Sequence, residues 1–122
     1  VDPALGAGAN GRDSTVYRAA STERYVWVAD DPSTEFLIQE DAVGGALAVA
    51  DVGLNADLIA GSANATYGQS GWMLDTSTKA TTNTLQLKIL GFAQRVGNEV
   101  GNANAKVRVR INLHALTYTT GF

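Results

Sequence analysis

The side chains that could carry catalysis are few and poorly spaced in this sequence. Cysteine is absent and His114 is the only imidazole, so thiolate nucleophiles, cysteine-based zinc sites and two-histidine metal sites are excluded within the chain. His114 lies among cationic residues in a segment that alternates apolar and polar residues, which predicts a solvated side chain and no catalytic base. The stretch 68–72, GQSGW, fails the G-x-S-x-G spacing of a nucleophile elbow because tryptophan replaces the last glycine. We therefore do not expect this chain to be an enzyme.

Two other patterns could hold a ligand. Asp51, Asn55 and Asp57 offer oxygen ligands for calcium, but the D-x-D-x-D-G spacing of a calcium loop is missing, which favours structural acids in turns. Residues 6–11, GAGANG, satisfy G-x-G-x-x-G, yet a short proline-containing stretch precedes them where a dinucleotide site requires a strand. We expect neither a metal nor a cofactor.

Charge is distributed unevenly along the chain, although the net charge is only −3. Residues 1–24 are balanced, residues 25–78 carry eight acids and no base, and residues 79–122 carry six bases and one acid. One interpretation is that acidic and basic strands pair inside a single domain. The other is a bipolar surface that contacts copies of the chain, or a charged lattice, head to tail.

The clearest cationic feature is a basic strip on one predicted strand. Lys106, Arg108 and Arg110 alternate with apolar residues, and Lys88 on a neighbouring strand could join them. Binding of single-stranded nucleic acid would need aromatic residues on the same face, and that face has none. The strip is therefore a candidate surface for protein contacts, and nucleic acid is not an expected partner.

Hydrophobic patterning predicts strands joined by turns, in which period-two alternation marks one face packed on a core. The predicted strands span residues 21–31, 35–40, 47–51, 56–60, 68–75, 84–92 and 106–116, with a turn at 30–33 that makes the first two a hairpin and a polar connection at 76–82. The expected fold is all-β, an antiparallel β-barrel or β-sandwich.

The chain is expected to divide into an arm and one domain. Residues 1–15 are rich in glycine, including Gly6, Gly8 and Gly11, and predict a flexible N-terminal arm that could add a strand to the sheet edge of a neighbour. Residues 16–122 are expected to form the single β domain. No apolar run approaches the roughly 18 residues of a membrane span, so no membrane is expected as a partner.

Four segments, taken in order and spacing, resemble the C-terminal part of a family of structural proteins encoded by tailed bacteriophages. They are YRAASTERYVWVADDPSTEFLIQED (17–41), DVGLNADLIAG (51–61), LDTSTKATTNTLQLKILGF (74–92) and KVRVRINLHAL (106–116). In that family the matching region follows an N-terminal part, so the resemblance implies that this chain corresponds to the C-terminal part of a longer protein. The resemblance implies no enzyme activity and no cofactor.

The resemblance implies a virion protein, specifically a capsid decoration (cement) protein on the exterior of the head that is made in the host cytoplasm. Its partners would be the major capsid protein and copies of itself, which we expect to form a homotrimer. A tail, fibre or neck module is an alternative. Another is a carbohydrate-binding β-sandwich that stacks sugars on Trp27, Tyr67 and Trp72, although core packing is the expected role of both tryptophans. An enzyme or a nucleic-acid binder is the least favoured.

Overall fold

The computed structural model describes residues 21, 28–64, 66–67 and 69–117, which form one antiparallel β-sheet. Its five strands are β1 (Glu35–Gln39), β2 (Asn55–Ala60), β3 (Trp72–Ala80), β4 (Leu87–Phe92) and β5 (Lys106–Ile111). Their order across the sheet is β1-β5-β4-β2-β3. The all-β antiparallel prediction is confirmed. Within the described ranges there is no α-helix, and no helix there is long and apolar enough to cross a membrane.

Part of the predicted organisation lies outside the described residues. This applies to the N-terminal arm with Gly6, Gly8 and Gly11, and to residues 22–27 of the first predicted hairpin strand. The turn that follows is present, because the Thr34 amide donates to the Asp31 carbonyl oxygen at 3.0 Å and the Ser33 amide donates to Asp31 Oδ1 at 2.7 Å. Residues 28–31 lead into this turn without forming a strand, and β1 pairs with β5.

Strand β5 shows the alternation that the sequence predicts. Val107 and Val109 are fully or almost fully buried, whereas Lys106, Arg108 and Arg110, which alternate with them, are exposed. In β4 a bulge between Ile89 and Gly91 shifts this alternation by one residue, so that Phe92 packs inward opposite Val107. The buried core comprises Leu47, Ala56, Leu74, Leu87, Ile89, Phe92, Ala105, Val107 and Val109.

The sheet curls until its two edge strands meet at one point, which we call the seam (residues 40–44 and 74–77). A single parallel bridge joins Glu40, just after β1, to Leu74 of β3, and the Asp41 amide donates to the Leu74 carbonyl oxygen at 3.0 Å. Gly44 packs directly on β3, where a Cβ would stand 2.5 Å from the Ser77 amide nitrogen. A single bridge is not a continuous ladder of hydrogen bonds between the two edge strands, so the sheet is not closed into a full barrel.

The strand predicted at 47–51 is wrong. Val49–Asp51 form a short 3₁₀ turn, which Asp51 stabilises by accepting a hydrogen bond from the Ala48 amide at 2.9 Å. Glycines on either side of this segment disfavour a regular helix or strand. Its apolar residue packs into the core from a loop instead. Leu47 is fully buried although it lies in a loop. The strand predicted at 56–60 is confirmed as β2.

The polar connection predicted at 76–82 is also wrong, because β3 continues to Ala80. Thr76 is buried, and its hydroxyl both donates to Asp41 Oδ1 and accepts from the Gly44 amide, each at 2.9 Å. Thr78 accepts from the Asp57 amide at 2.9 Å. The Thr78 hydroxyl replaces a ladder hydrogen bond where β2 and β3 are out of register, whereas the Thr76 hydroxyl bonds to the seam. Polar residues can therefore continue the strand.

Strand β5 ends at Ile111, five residues before the predicted end at 116. Asn112 turns the chain away, because its side-chain amide donates to the carbonyl oxygens of Asn83 and Leu85 at 3.1 and 2.9 Å. His114 is therefore not on the solvated face of a strand, as the sequence predicts. It is buried, and its Nδ1 accepts a hydrogen bond from the Leu116 amide at 3.1 Å.

Candidate docking face

The basic strip lies on the outer face of the sheet, opposite the core. Lys106, Arg108 and Arg110 are exposed on β5, which has a neighbouring strand on each side and is therefore held rigidly. Successive members stand about 7 Å apart along the strand because side chains on one face recur every second residue. Lys88 of β4 is directly opposite Arg110 and extends the strip sideways. The structure thus brings together the four cationic residues that the sequence singles out.

Strand β1 supplies one border of the strip. Glu35 is opposite Arg110 and Leu37 is opposite Arg108. The Glu35 carboxylate pairs diagonally, with its Oε2 3.3 Å from Arg108 Nη1, and both side chains are half exposed. Leu37 is 55% exposed beside this pair, an unusual position for a large apolar side chain. The border is therefore mixed, with an acid and an apolar group next to the strip.

Strand β4 supplies the other border beside Arg108. Gly91 is opposite Arg108, and a Cβ built on Gly91 would stand 3.4 Å from Arg108 Nη2. The guanidinium group therefore lies over the glycine and toward Glu35. Because Gly91 has no side chain, the Arg108 side chain is not crowded from this position.

The loop between β4 and β5 is anchored by one side chain, Asn98. Its Nδ2 donates to the Ala93 and Lys106 carbonyl oxygens at 2.9 and 2.8 Å, and its Oδ1 accepts from the Lys106 amide at 2.6 Å. Three hydrogen bonds from one amide group fix where the loop leaves β4 and rejoins β5. Arg95, which follows Ala93 by two residues, is thereby placed at the edge of the strip.

An open cleft of about 330 Å³ adjoins the strip. Its walls are residues 35–37 of β1, residues 93–95 after β4 and Arg108. Its lining includes two arginines, Arg95 and Arg108, together with Glu35 and Leu37. We call the basic strip together with this cleft the docking face.

Two further acidic residues lie on the other side of β4. Asp57 of β2 and Asp75 of β3 are register partners, so two like charges share the outer face there. Each is engaged locally, since Asp57 Oδ1 accepts from the Gln86 amide at 3.0 Å and Asp75 Oδ1 accepts from the Ser77 amide at 2.9 Å. The outer surface of the sheet is thus basic over β4 and β5 and acidic over β2 and β3.

The hairpin between β2 and β3 carries exposed aromatic side chains. Tyr67 in the turn is 77% exposed, and Trp72 at the start of β3 is 56% exposed. Core packing, the role that the sequence predicts for both tryptophans, is therefore wrong for Trp72, because β3 extends past the edge of the core at this end. Trp27 lies outside the described residues.

The other residues considered as calcium ligands have structural partners. Asp51 Oδ2 lies 3.0 Å from Lys79 Nζ, and Asn55 Nδ2 donates to the Thr82 carbonyl oxygen at 2.9 Å. Among the residues that the structure describes, no three side chains of histidine, aspartate or glutamate are grouped as a metal site would require.

Sequence reasoning identified the strip but missed Glu35, Leu37 and Arg95 as its neighbours. Alternation within β5 is visible in the sequence, whereas the pairing of β1 with β5 joins residues 73 positions apart and has no local signal. Comparisons with protein-family models, with curated proteins and with solved structures find no match to this chain.

Proposed function

We propose that this domain is a virion structural protein that decorates the exterior of a tailed-phage head and binds acidic protein surfaces through its docking face. The observation that carries the proposal is the basic strip on β5, an interior strand of the sheet, where Lys106, Arg108 and Arg110 are exposed on paired backbone. The resemblance of the four sequence segments to phage structural proteins supports the virion as the location. The antiparallel sheet is consistent with a role in shape and adhesion.

The proposed partners are the major capsid protein and further copies of this chain, arranged as a homotrimer. The separation of basic and acidic residues on the outer surface allows opposite charges of neighbouring molecules to meet. On a symmetric shell many weak contacts act together, because each bound copy holds the next at high effective concentration.

The direct test is cosedimentation of the purified domain with heads of the phage that encodes it. We expect Arg108→Gln with Arg110→Gln to reduce occupancy by about tenfold or more, since two charge-assisted contacts are lost. The matched control is Val43→Glu with Ala50→Glu, which makes the same change in net charge at exposed residues away from the strip. The control should keep its occupancy, and circular dichroism should show that both variants are folded at the temperature of the assay.

Two outcomes would overturn this proposal. One is a parent domain that does not cosediment with heads at low ionic strength, where contacts between exposed charges are strongest. The other is an equal loss of occupancy in the strip variant and in the control, because this would reflect bulk charge only. Native mass spectrometry at micromolar concentration tests the trimer, and a monomer mass would contradict it.

A second candidate function is carbohydrate binding at the β2–β3 hairpin, and the exposure of Tyr67 and Trp72 favours it. Aromatic rings that face solvent beside polar hairpin residues can stack on sugar rings, and they can equally anchor a protein partner. A glycan array separates these two roles. Hits that disappear in Trp72→Ala would support the lectin function, whereas an array without hits would remove it.

A further inference from the structure

The cleft beside Arg108 has the composition of a site for one carboxylate group. Arg95 and Arg108 both line it, and the guanidinium group of an arginine matches the geometry of a carboxylate and can bind it through two parallel N–H···O bonds. Leu37 supplies an apolar wall beside them and is 55% exposed. A ligand that fits both features carries a carboxylate next to an apolar side chain.

Glu35 already occupies one of these guanidinium groups, but weakly. Its Oε2 lies 3.3 Å from Arg108 Nη1, longer than the 2.7–2.9 Å typical of strong charge-assisted hydrogen bonds. The two side chains are 51% and 50% exposed, so water and salt screen their attraction. An ion pair of this kind exchanges partners at little cost.

We propose that the cleft binds an acidic segment of the partner protein and that the incoming carboxylate displaces Glu35 from Arg108. This proposal rests on the proposed function, since it names the chemistry through which the docking face holds its partner. The occupant is a segment of another protein in which an aspartate or glutamate lies beside an apolar residue. Glu35 then acts as an internal competitor that keeps Arg108 paired until the domain docks.

The charge in the cleft favours a carboxylate over a phosphate group. Two cationic groups and one carboxylate line the same cleft, so a dianion would meet direct repulsion from Glu35. A single negative charge can replace Glu35 on Arg108 without changing the net charge that the cleft must balance. The apolar Leu37 adds contact area that a free inorganic anion cannot use.

The proposal is tested with a blocked peptide in which leucine and aspartate alternate, titrated into the full chain by isothermal calorimetry. A peptide with asparagine in place of aspartate is the ligand control. We expect Arg108→Gln to weaken binding of the acidic peptide by about tenfold or more. We expect Glu35→Gln to strengthen it by about two- to fivefold, which is the range that an exposed ion pair supplies.

The opposite signs of these effects distinguish a competitor from a structural support. If Glu35→Gln weakens binding, Glu35 positions Arg108 and the exchange proposed here is wrong. The matched control is Lys79→Gln, which removes the same charge from β3, outside the docking face. We expect it to change affinity by less than about twofold, and a loss equal to that of Arg108→Gln would overturn the cleft as the site.

The peptide assay contains no capsids, so the two proposals can fail separately. Binding to phage heads without any binding of the acidic peptide would overturn the cleft and leave the decoration function intact. Peptide binding without binding to heads would overturn the decoration function and leave the cleft. Self-association of the domain that the acidic peptide competes away would assign the cleft to a second copy and overturn a foreign partner.

Discussion

Charged side chains in the seam and on the docking face have opposite environments and roles. In the seam, Glu40 is fully buried and its Oε2 accepts from the Leu47 amide at 2.9 Å, while Asp41 accepts from the Thr76 amide at 3.0 Å. On the docking face, Arg108 and Arg110 point into solvent on a regular strand. The seam uses charge to bind backbone where the ladder is missing. The docking face uses a strand that is paired on both sides to present charge outward.

This difference separates residues that hold the fold from residues that are free to bind. A seam residue is surrounded by backbone donors, so its loss leaves buried groups unpaired. A residue on the docking face is held in the sheet by backbone hydrogen bonds, so its side chain can change with little cost to the sheet. The two regions should therefore respond differently to substitution, and the following experiments measure that difference.

The largest effect is expected from Leu47→Ala, at the end of the loop that begins in the seam. Leu47 is fully buried, so truncation should lower the free energy of unfolding by about 2–5 kcal/mol in urea titrations. Val43→Ala in the same loop is the control, because Val43 is 77% exposed and should cost less than about 0.5 kcal/mol. Similar losses in both variants would mean that the loop does not complete the core.

A smaller loss is expected from Thr76→Val, which keeps the shape of the side chain but removes its hydroxyl. Asp41 Oδ1 then loses a donor and the Gly44 amide loses its acceptor, which should cost about 1–3 kcal/mol of unfolding free energy. Thr84→Val, at an exposed residue, is the matched control and should be nearly neutral. A neutral Thr76→Val would show that the seam needs only its backbone bridge.

Acid should weaken the seam and the adjacent 3₁₀ turn. Burial raises the pKa of Asp41, but hydrogen bonds from the amide and hydroxyl of Thr76 and from the Val43 amide outweigh it and leave the pKa below 3.8. The Ala48 amide lowers the pKa of Asp51, with burial opposing and Lys79 assisting. Both carboxylates therefore bind protons less readily in the folded chain than in the unfolded chain.

The sign of the pH effect follows from these directions. The stabilisation is complete above the ordinary aspartate pKa of about 4 and is lost as the pH falls through the lower folded values. Urea titrations at pH 7, 4, 3 and 2 should show this loss. Asp51→Asn should have a flatter pH dependence between pH 4 and 2, and an unchanged slope would contradict the assignment.

The smallest effects on stability are expected on the docking face. Arg108→Gln breaks the exposed pair with Glu35 and should cost about 0.2–1 kcal/mol of unfolding free energy. Arg110→Gln should cost less than about 0.5 kcal/mol. Thermal melts of both variants beside Leu47→Ala test the comparison directly. A docking-face loss as large as the core loss would make the strip structural.

The sequence predicts the regular part of this fold better than its irregular part. Alternation in 106–111 identifies β5 and its exposed cations, because every second side chain there must face the core. The bulge after Ile89, the turn at Asn112 and the buried position of His114 depend on contacts with distant segments. Local pattern carries no information on these contacts, so the strand ends and the role of the histidine were wrong.

The candidate site likewise has one part that the sequence predicts and one part that it does not. Lys106, Arg108 and Arg110 could be grouped from their spacing, and Lys88 from its place on the neighbouring strand. Glu35 and Leu37 join them only through the β1–β5 register, and Arg95 only through the anchoring of its loop by Asn98. The strip is therefore visible in the sequence, whereas the cleft is a product of the tertiary fold.

The position of β1 in the sheet has a consequence for biosynthesis. β1 pairs with β5, and Glu35 and Arg108 are 73 residues apart in the chain. During translation β1 leaves the ribosome long before its neighbour exists, so the sheet cannot be completed until β5 has emerged. Closing a loop over such a distance has a larger entropic cost than forming a local hairpin. We therefore expect assembly of the sheet to be late and slow. Until then β1 exposes apolar surface, which makes the nascent chain a natural client for chaperones.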